Sequence, residues 1–118
     1  MGYREELEEL GVNVAEGIDR VVGDESLYEM MLGMFVDTVN ESHIAPDDFD
    51  KNDRDELIRH VHILKGMTGN LSLTPLYEGY MEMLGLLRSE KPAEAKAVME
   101  KILPIQQKII ECIEKHKA

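Results

Sequence analysis

The 118-residue chain has no tryptophan, two phenylalanines and one cysteine. With so few aromatics, and no clear alternating apolar runs between turn pairs, there is little basis for β-strands. Cys112 stands alone, so an internal disulfide is excluded and no cysteine-based zinc site is expected. No uninterrupted apolar run is long enough to span a bilayer. The opening MGYREELEEL lacks the basic and apolar regions of a secretory signal, and Glu6 stands where a myristoylation motif needs serine or threonine. Positive charge is scarce as well: 13 basic against 24 acidic residues give a net charge of −11. Such a field repels phosphate backbones and anionic lipid, so neither nucleic acid nor membrane is an expected partner. Docking to a locally basic protein surface stays open, and a cytoplasmic location is the default expectation.

What is present is helical periodicity. Apolar residues make up 43% of the chain, enough for a folded globule, and the length suits one domain over residues 1–118. A short helix is expected from about Tyr3 to Leu10, stopping at Gly11. Asn13 reads as the N-cap of a second, with Glu16 reaching back and the helix ending near Gly23. The next opens at GDES, with Leu27, Met31, Met34 and Thr38 as its apolar stripe, widened by Met30 and Phe35. The segment ESHIAPDDFDKND reads as a connection. A fourth helix is expected from near Asp53 to near Leu71. Thr74 then suits an N-cap and Pro75 the first helical position, with Leu76, Tyr80, Met83, Leu84 and Leu87 as the buried face. The last helix starts near Pro92 on a stripe of Ala95, Val98, Ile102, Ile105, Ile109 and Cys112, and Pro104 should bend or interrupt it. Four long helices with short links predict an all-α fold, an antiparallel four-helix bundle preceded by short N-terminal helices.

The fourth of these helices carries the sequence IRHVHILKGMTGNL. At about 100° per residue, with Leu57 at zero, Val61, Leu64, Thr68 and Leu71 fall within roughly 40° of it, and the five form a core stripe. His62, Lys65, Gly69 and Gly66 fall at roughly 140°, 80°, 120° and 180°, on a different face. His60 falls near 300°, so the two histidines are about 200° apart and cannot share a metal from one helix. A glycine costs about 1 kcal/mol against alanine inside a helix. Two of them beside His62, at Gly66 and Gly69, clear the surface next to the imidazole, as a nucleophile entering another protein's active site requires. Lys65 places a cation near the same ring, where it can stabilise a phosphoryl group. An exposed imidazole near neutral pH offers a ring lone pair for attack.

His62-Ile63-Leu64-Lys65-Gly66, followed by Gly69-Asn70-Leu71, resembles the H-x-L-K-G signature of histidine-containing phosphotransfer (HPt) domains. GVNVAEGIDRVVGDESLYEMMLGMFV looks like the N-terminal half of that family, and the likeness runs from about Gly11 to the last helix. The resemblance implies a four-helix bundle whose exposed histidine, His62 here, accepts phosphate from one receiver-domain aspartate and passes it to another. It implies response-regulator receiver domains, and a hybrid histidine kinase, as partners, with Mg²⁺ supplied by the receiver and no cofactor bound by this chain. The pattern usually has glycine where Ser72 stands, a departure bearing on the helix end. Nothing resembles a P-loop or an ATP lid, so the expected role is a monomeric phosphoryl carrier without kinase activity of its own. The charged EKHKA end favours a separate protein.

Blander readings apply elsewhere. Gly33, Gly79 and Gly85 suit close helix packing. His60 reads as a partly buried residue near Glu56. His43 lies in a connection and His116 near a frayed end, neither with a constellation around it. Cys112 reads as a small buried apolar residue, and the eight methionines mainly as core. Ile58, at roughly 100°, suits either a receiver-docking patch or partial burial. The competing function is a helical bundle that binds a signalling partner without carrying phosphate. A metal or haem bundle is a third reading, although the repeated Glu-x-x-His pairs of a di-iron site are absent.

Overall fold

Helix boundaries in this chain are set by local chemistry that can be named residue by residue. The computed structural model describes residues 3–42, 44–50 and 54–116. His43, and the expected helix start at Asp53, lie outside the described residues. Helix α1 spans Tyr3–Glu9, and Gly11 ends its last turn at φ +95°, a conformation glycine adopts freely. Helix α2, Val14–Arg20, starts at Asn13, whose side chain accepts a hydrogen bond from Glu16 N at 3.2 Å. Glu16 does not complete the reciprocal cap. Its carboxylate instead accepts the Ser72 hydroxyl at 2.8 Å and the Arg20 guanidinium at 3.4 Å.

Helix α3 spans Glu25–Ser42, α4 Asp55–Asn70, α5 Thr74–Arg88 and α6 Pro92–Lys115. No strand occurs among the described residues. Helix α5 starts at Thr74 rather than after it. The Leu73 carbonyl caps it by accepting from Leu76 N and Tyr77 N at 3.0 and 2.9 Å, while the Thr74 hydroxyl turns back to Ser72 O at 3.3 Å. Pro104 does not interrupt α6, whose helix is continuous through it. Both Pro104 and Glu100, whose carbonyl loses its partner, face solvent. The expected connection after α3 contains a short 3-10 turn, Pro46–Asp50, that buries Phe49. Asp50 anchors this turn to α6 through Lys96 at 2.7 Å.

One hydrophobic core joins residues from every helix, including Leu7, Val14, Tyr28, Leu64, Tyr80 and Ile109. Helix α5 packs on both α4 and α6, α3 touches α4 and α6, and α1 lies on α6. The body measures 43 × 24 × 22 Å along its principal axes. All five expected apolar residues of α5 are buried, as are Ala95, Ile102, Ile109 and Cys112 on α6. The α6 core also takes in Gln106, which accepts a hydrogen bond from the buried Tyr80 hydroxyl. Burial raises the Tyr80 pKa, which keeps the phenol as a donor.

Helix α3 departs from expectation. Of the expected stripe Phe35 is buried, together with Tyr28, Leu32 and Val36, whereas Leu27 and Met31 are half-buried and Met30 and Met34 are 58% and 53% exposed. The segment is apolar around most of its circumference, so periodicity allows two registers. Tyr28 fits the observed one, since its hydroxyl donates to the Leu71 carbonyl at 2.8 Å across the interior. Gly79 meets the packing expectation, because a Cβ there would lie 2.6 Å from Ile102. Gly33 and Gly85 do not: a Cβ at either meets nothing within 4 Å. Among the described residues no helix is long and apolar enough to cross a membrane.

Candidate functional site

The inner face of α4 fixes the outer one. Leu57, Val61, Leu64 and Thr68 are each at most 6% exposed. The Thr68 hydroxyl is satisfied within the helix by Leu64 O at 2.8 Å and Lys65 O at 3.1 Å. With that stripe inward, the 100° step turns His62 and Gly66 outward, and both are exposed. Lys65 is half-buried. Among the described residues neither His62 nor Lys65 has a hydrogen-bond or ion-pair partner. The imidazole thus lacks the orienting carboxylate of a hydrolytic triad, while an unpaired ammonium stands one turn away.

The two glycines of this face differ. A Cβ at Gly66 meets nothing within 4 Å. A Cβ at Gly69 would lie 3.0 Å from the Tyr77 ring on α5. Clearance therefore describes Gly66. Gly69 is a packing glycine, contrary to the expectation that it too clears the surface beside His62. Ile58 is half-buried against the core, the second of its two expected placements. His60 is half-buried too, with Nε2 3.9 Å from Glu56 and 3.3 Å from the Arg59 guanidinium.

Lys65, Gly66 and Gly69 border a concavity of about 610 Å³ completed by Glu16 and Arg20 of α2 and Tyr77 of α5. His62 sits on α4 one turn before Gly66, outside that lining. The contributions of α2 and Tyr77 were not foreseen. The available signal was Ser72. It sits at φ +54°, in the left-handed region where the resembled pattern has glycine. Such a backbone costs a non-glycine residue about 1 kcal/mol or more. Two bonds oppose that cost: the Ser72 hydroxyl donates to Glu16 at 2.8 Å, and its carbonyl accepts Asn13 N at 3.0 Å. The Ser72 hydroxyl, aided by Arg20, holds the Glu16 carboxyl below the usual carboxylate range. Together these bonds fasten α2 to the α4–α5 corner and build one wall of the concavity.

His116 also departs from expectation, because it is not isolated. Its Nε2 lies 3.2 Å from Glu6 Oε1, which Lys115 approaches at 3.1 Å, and Cys112 completes the group. Burial, then Glu6, pushes the Cys112 thiol up to about 11.

The α4 surface thus offers an exposed imidazole, a lysine one turn on and open space at Gly66. Compared with protein-family models, with curated proteins and with solved structures, the chain matches none of them.

Proposed function

We propose that this chain is a histidine phosphotransfer domain that carries a phosphoryl group on His62 between receiver-domain aspartates. The observation that carries the reading is the exposed His62 followed one turn later by Gly66, where open space lies in place of a side chain. Gly33 and Gly85 are open as well, so openness alone marks nothing. Gly66 differs in having an exposed imidazole before it and an unpaired cation beside it. The adjacency of α3 with α4, α4 with α5, α5 with α6 and α6 with α3 supports a four-helix bundle.

In the proposed step a His62 ring nitrogen attacks the phosphorus of an aspartyl phosphate in line. The N–P bond forms as the P–O bond to the aspartate breaks, and the receiver recovers its carboxylate. Transfer onward reverses these roles with a second receiver. Catalysis of this kind is largely positioning and charge stabilisation. Lys65 supplies positive charge to the phosphoryl oxygens, Gly66 admits the partner's surface, and the receiver contributes Mg²⁺. A phosphorylated receiver with Mg²⁺ is expected to label the chain with an acid-labile, alkali-stable phosphate. If His62→Gln accepts label as well as wild type, the site is wrong. If no receiver from the host labels the wild type, the non-phosphorylated binding module takes its place.

A further inference from the structure

The other notable cluster of reactive side chains lies where the two ends of the chain meet. Glu6 on α1, with Cys112 on α6 and His116 one turn further at its C-cap, brings a carboxylate oxygen, a sulfur and an imidazole nitrogen within 4.8 Å of one another. Zinc holds these donor types at about 2.0–2.3 Å, which sets tetrahedral ligands roughly 3.3–3.6 Å apart. The Glu6–His116 separation of 3.2 Å is already close to that spacing. We propose that Glu6, Cys112 and His116 form a zinc site with its fourth position open to water. None of these residues belongs to the α4 surface, so this site stands or falls separately from phosphotransfer.

The surroundings favour a borderline-soft dication. A thiolate and an imidazole select zinc over magnesium or calcium. Cys112 is buried, with its sulfur 3.7 Å from the Tyr3 carbonyl. The Tyr3 ring lies tilted against His116 at 6.3 Å between centroids, and only 25% of the His116 side chain is accessible although the end of α6 is open. Lys115 is the competitor, because its ammonium occupies the Glu6 oxygen at 3.1 Å. Its side chain is 66% exposed, so it can swing into solvent as zinc enters. The thiol proton leaves to solvent as the sulfur–zinc bond forms. A concavity of about 410 Å³ opens at this place, where Glu9 and Glu111 add negative charge and Lys108 offsets part of it. The sequence concealed the site because zinc motifs are read from closely spaced cysteines and histidines, whereas Glu6 comes from the opposite end of the chain.

Cobalt titration of the full chain tests this directly. The wild type is expected to develop a thiolate-to-cobalt charge-transfer band that zinc abolishes by competition. Cys112→Ser should lose the band, and His116→Gln should weaken zinc binding at least tenfold. Zinc should raise the melting temperature of the wild type but not of His116→Gln, a substitution after the last helical residue that leaves the buried core intact. His60→Gln and His62→Gln should bind as the wild type does. No thiolate band in the wild type, unchanged affinity in His116→Gln, or affinity lost with His60 or His62 would each overturn the proposal.

Discussion

The two faces of α4 are built by opposite rules. Inward, Leu57, Val61, Leu64 and Thr68 are covered and their one polar group is satisfied within the helix. Outward, His62 and Gly66 meet solvent and Lys65 has no counter-ion among the described residues. The inner face determines whether the protein folds. The outer face contributes little to folding and at Gly66 works against it. Gly33 and Gly85 carry the same cost in open space, so what sets Gly66 apart is the exposed His62 one turn before it and Lys65 beside it.

This contrast can be broken by exchanging the consequences of substitution on the two faces. The largest effect is expected at His62, where His62→Gln should abolish phosphotransfer while shifting stability by no more than about 0.5 kcal/mol. Phosphorylation assays and urea unfolding on the same preparation check both halves. Next, Leu64→Ala should cost about 2–5 kcal/mol through the cavity it leaves. If instead Leu64→Ala is silent in urea, the inner face is misassigned. A smaller effect separates the two glycines. Gly66→Ala should stabilise the fold by up to about 1 kcal/mol, whereas Gly69→Ala should gain less because the Tyr77 ring must give way. The larger Gly66→Leu should slow transfer from a cognate receiver without loss of helicity. Equal gains from both alanine substitutions would erase the distinction between clearance and packing.

The smallest expected effect concerns the wall of the concavity. The folded-state pKa of Glu16 is lowered, so its bond to Ser72 contributes stability above the unfolded pKa. That contribution disappears as pH falls through the folded value. Glu16→Gln should therefore be slightly less stable than wild type near neutrality, and the two melting curves should converge in acid. A constant difference across that range would remove the carboxylate from the argument.

What the sequence made legible tracks how one-sided each helix is. The stripes of α4 and α5 were readable because polar residues occupy their other faces. Helix α3 was legible only at Phe35, since Leu27, Met30, Met31 and Met34 compete with Tyr28, Leu32 and Val36, and long-range packing chooses between them. The Pro46–Asp50 turn escaped notice because its single buried residue, Phe49, sits among turn-forming residues. The exposed placement of His62 followed from local periodicity. The packing of Gly69 against Tyr77, the Glu16–Ser72 bond and the Glu6–Cys112–His116 group did not, because each joins residues from different helices.

The α4–α5 corner has a consequence for the order of assembly. Leu71 receives the Tyr28 hydroxyl, and Ser72 receives both the Glu16 carboxylate and the Asn13 amide. Gly17 also passes so close that a Cβ there would lie 2.7 Å from the Leu71 carbonyl oxygen. Helix α1 lies on α6, but the anchors of α2 and of Tyr28 exist only once that corner has formed. The adjacent α4 and α5, close in sequence, can form their contacts at low loop-closure cost. The expected folding nucleus is thus the α4–α5 hairpin, with α2 and the start of α3 joining late. Tyr28→Phe should accordingly speed unfolding more than it slows folding in stopped-flow measurements.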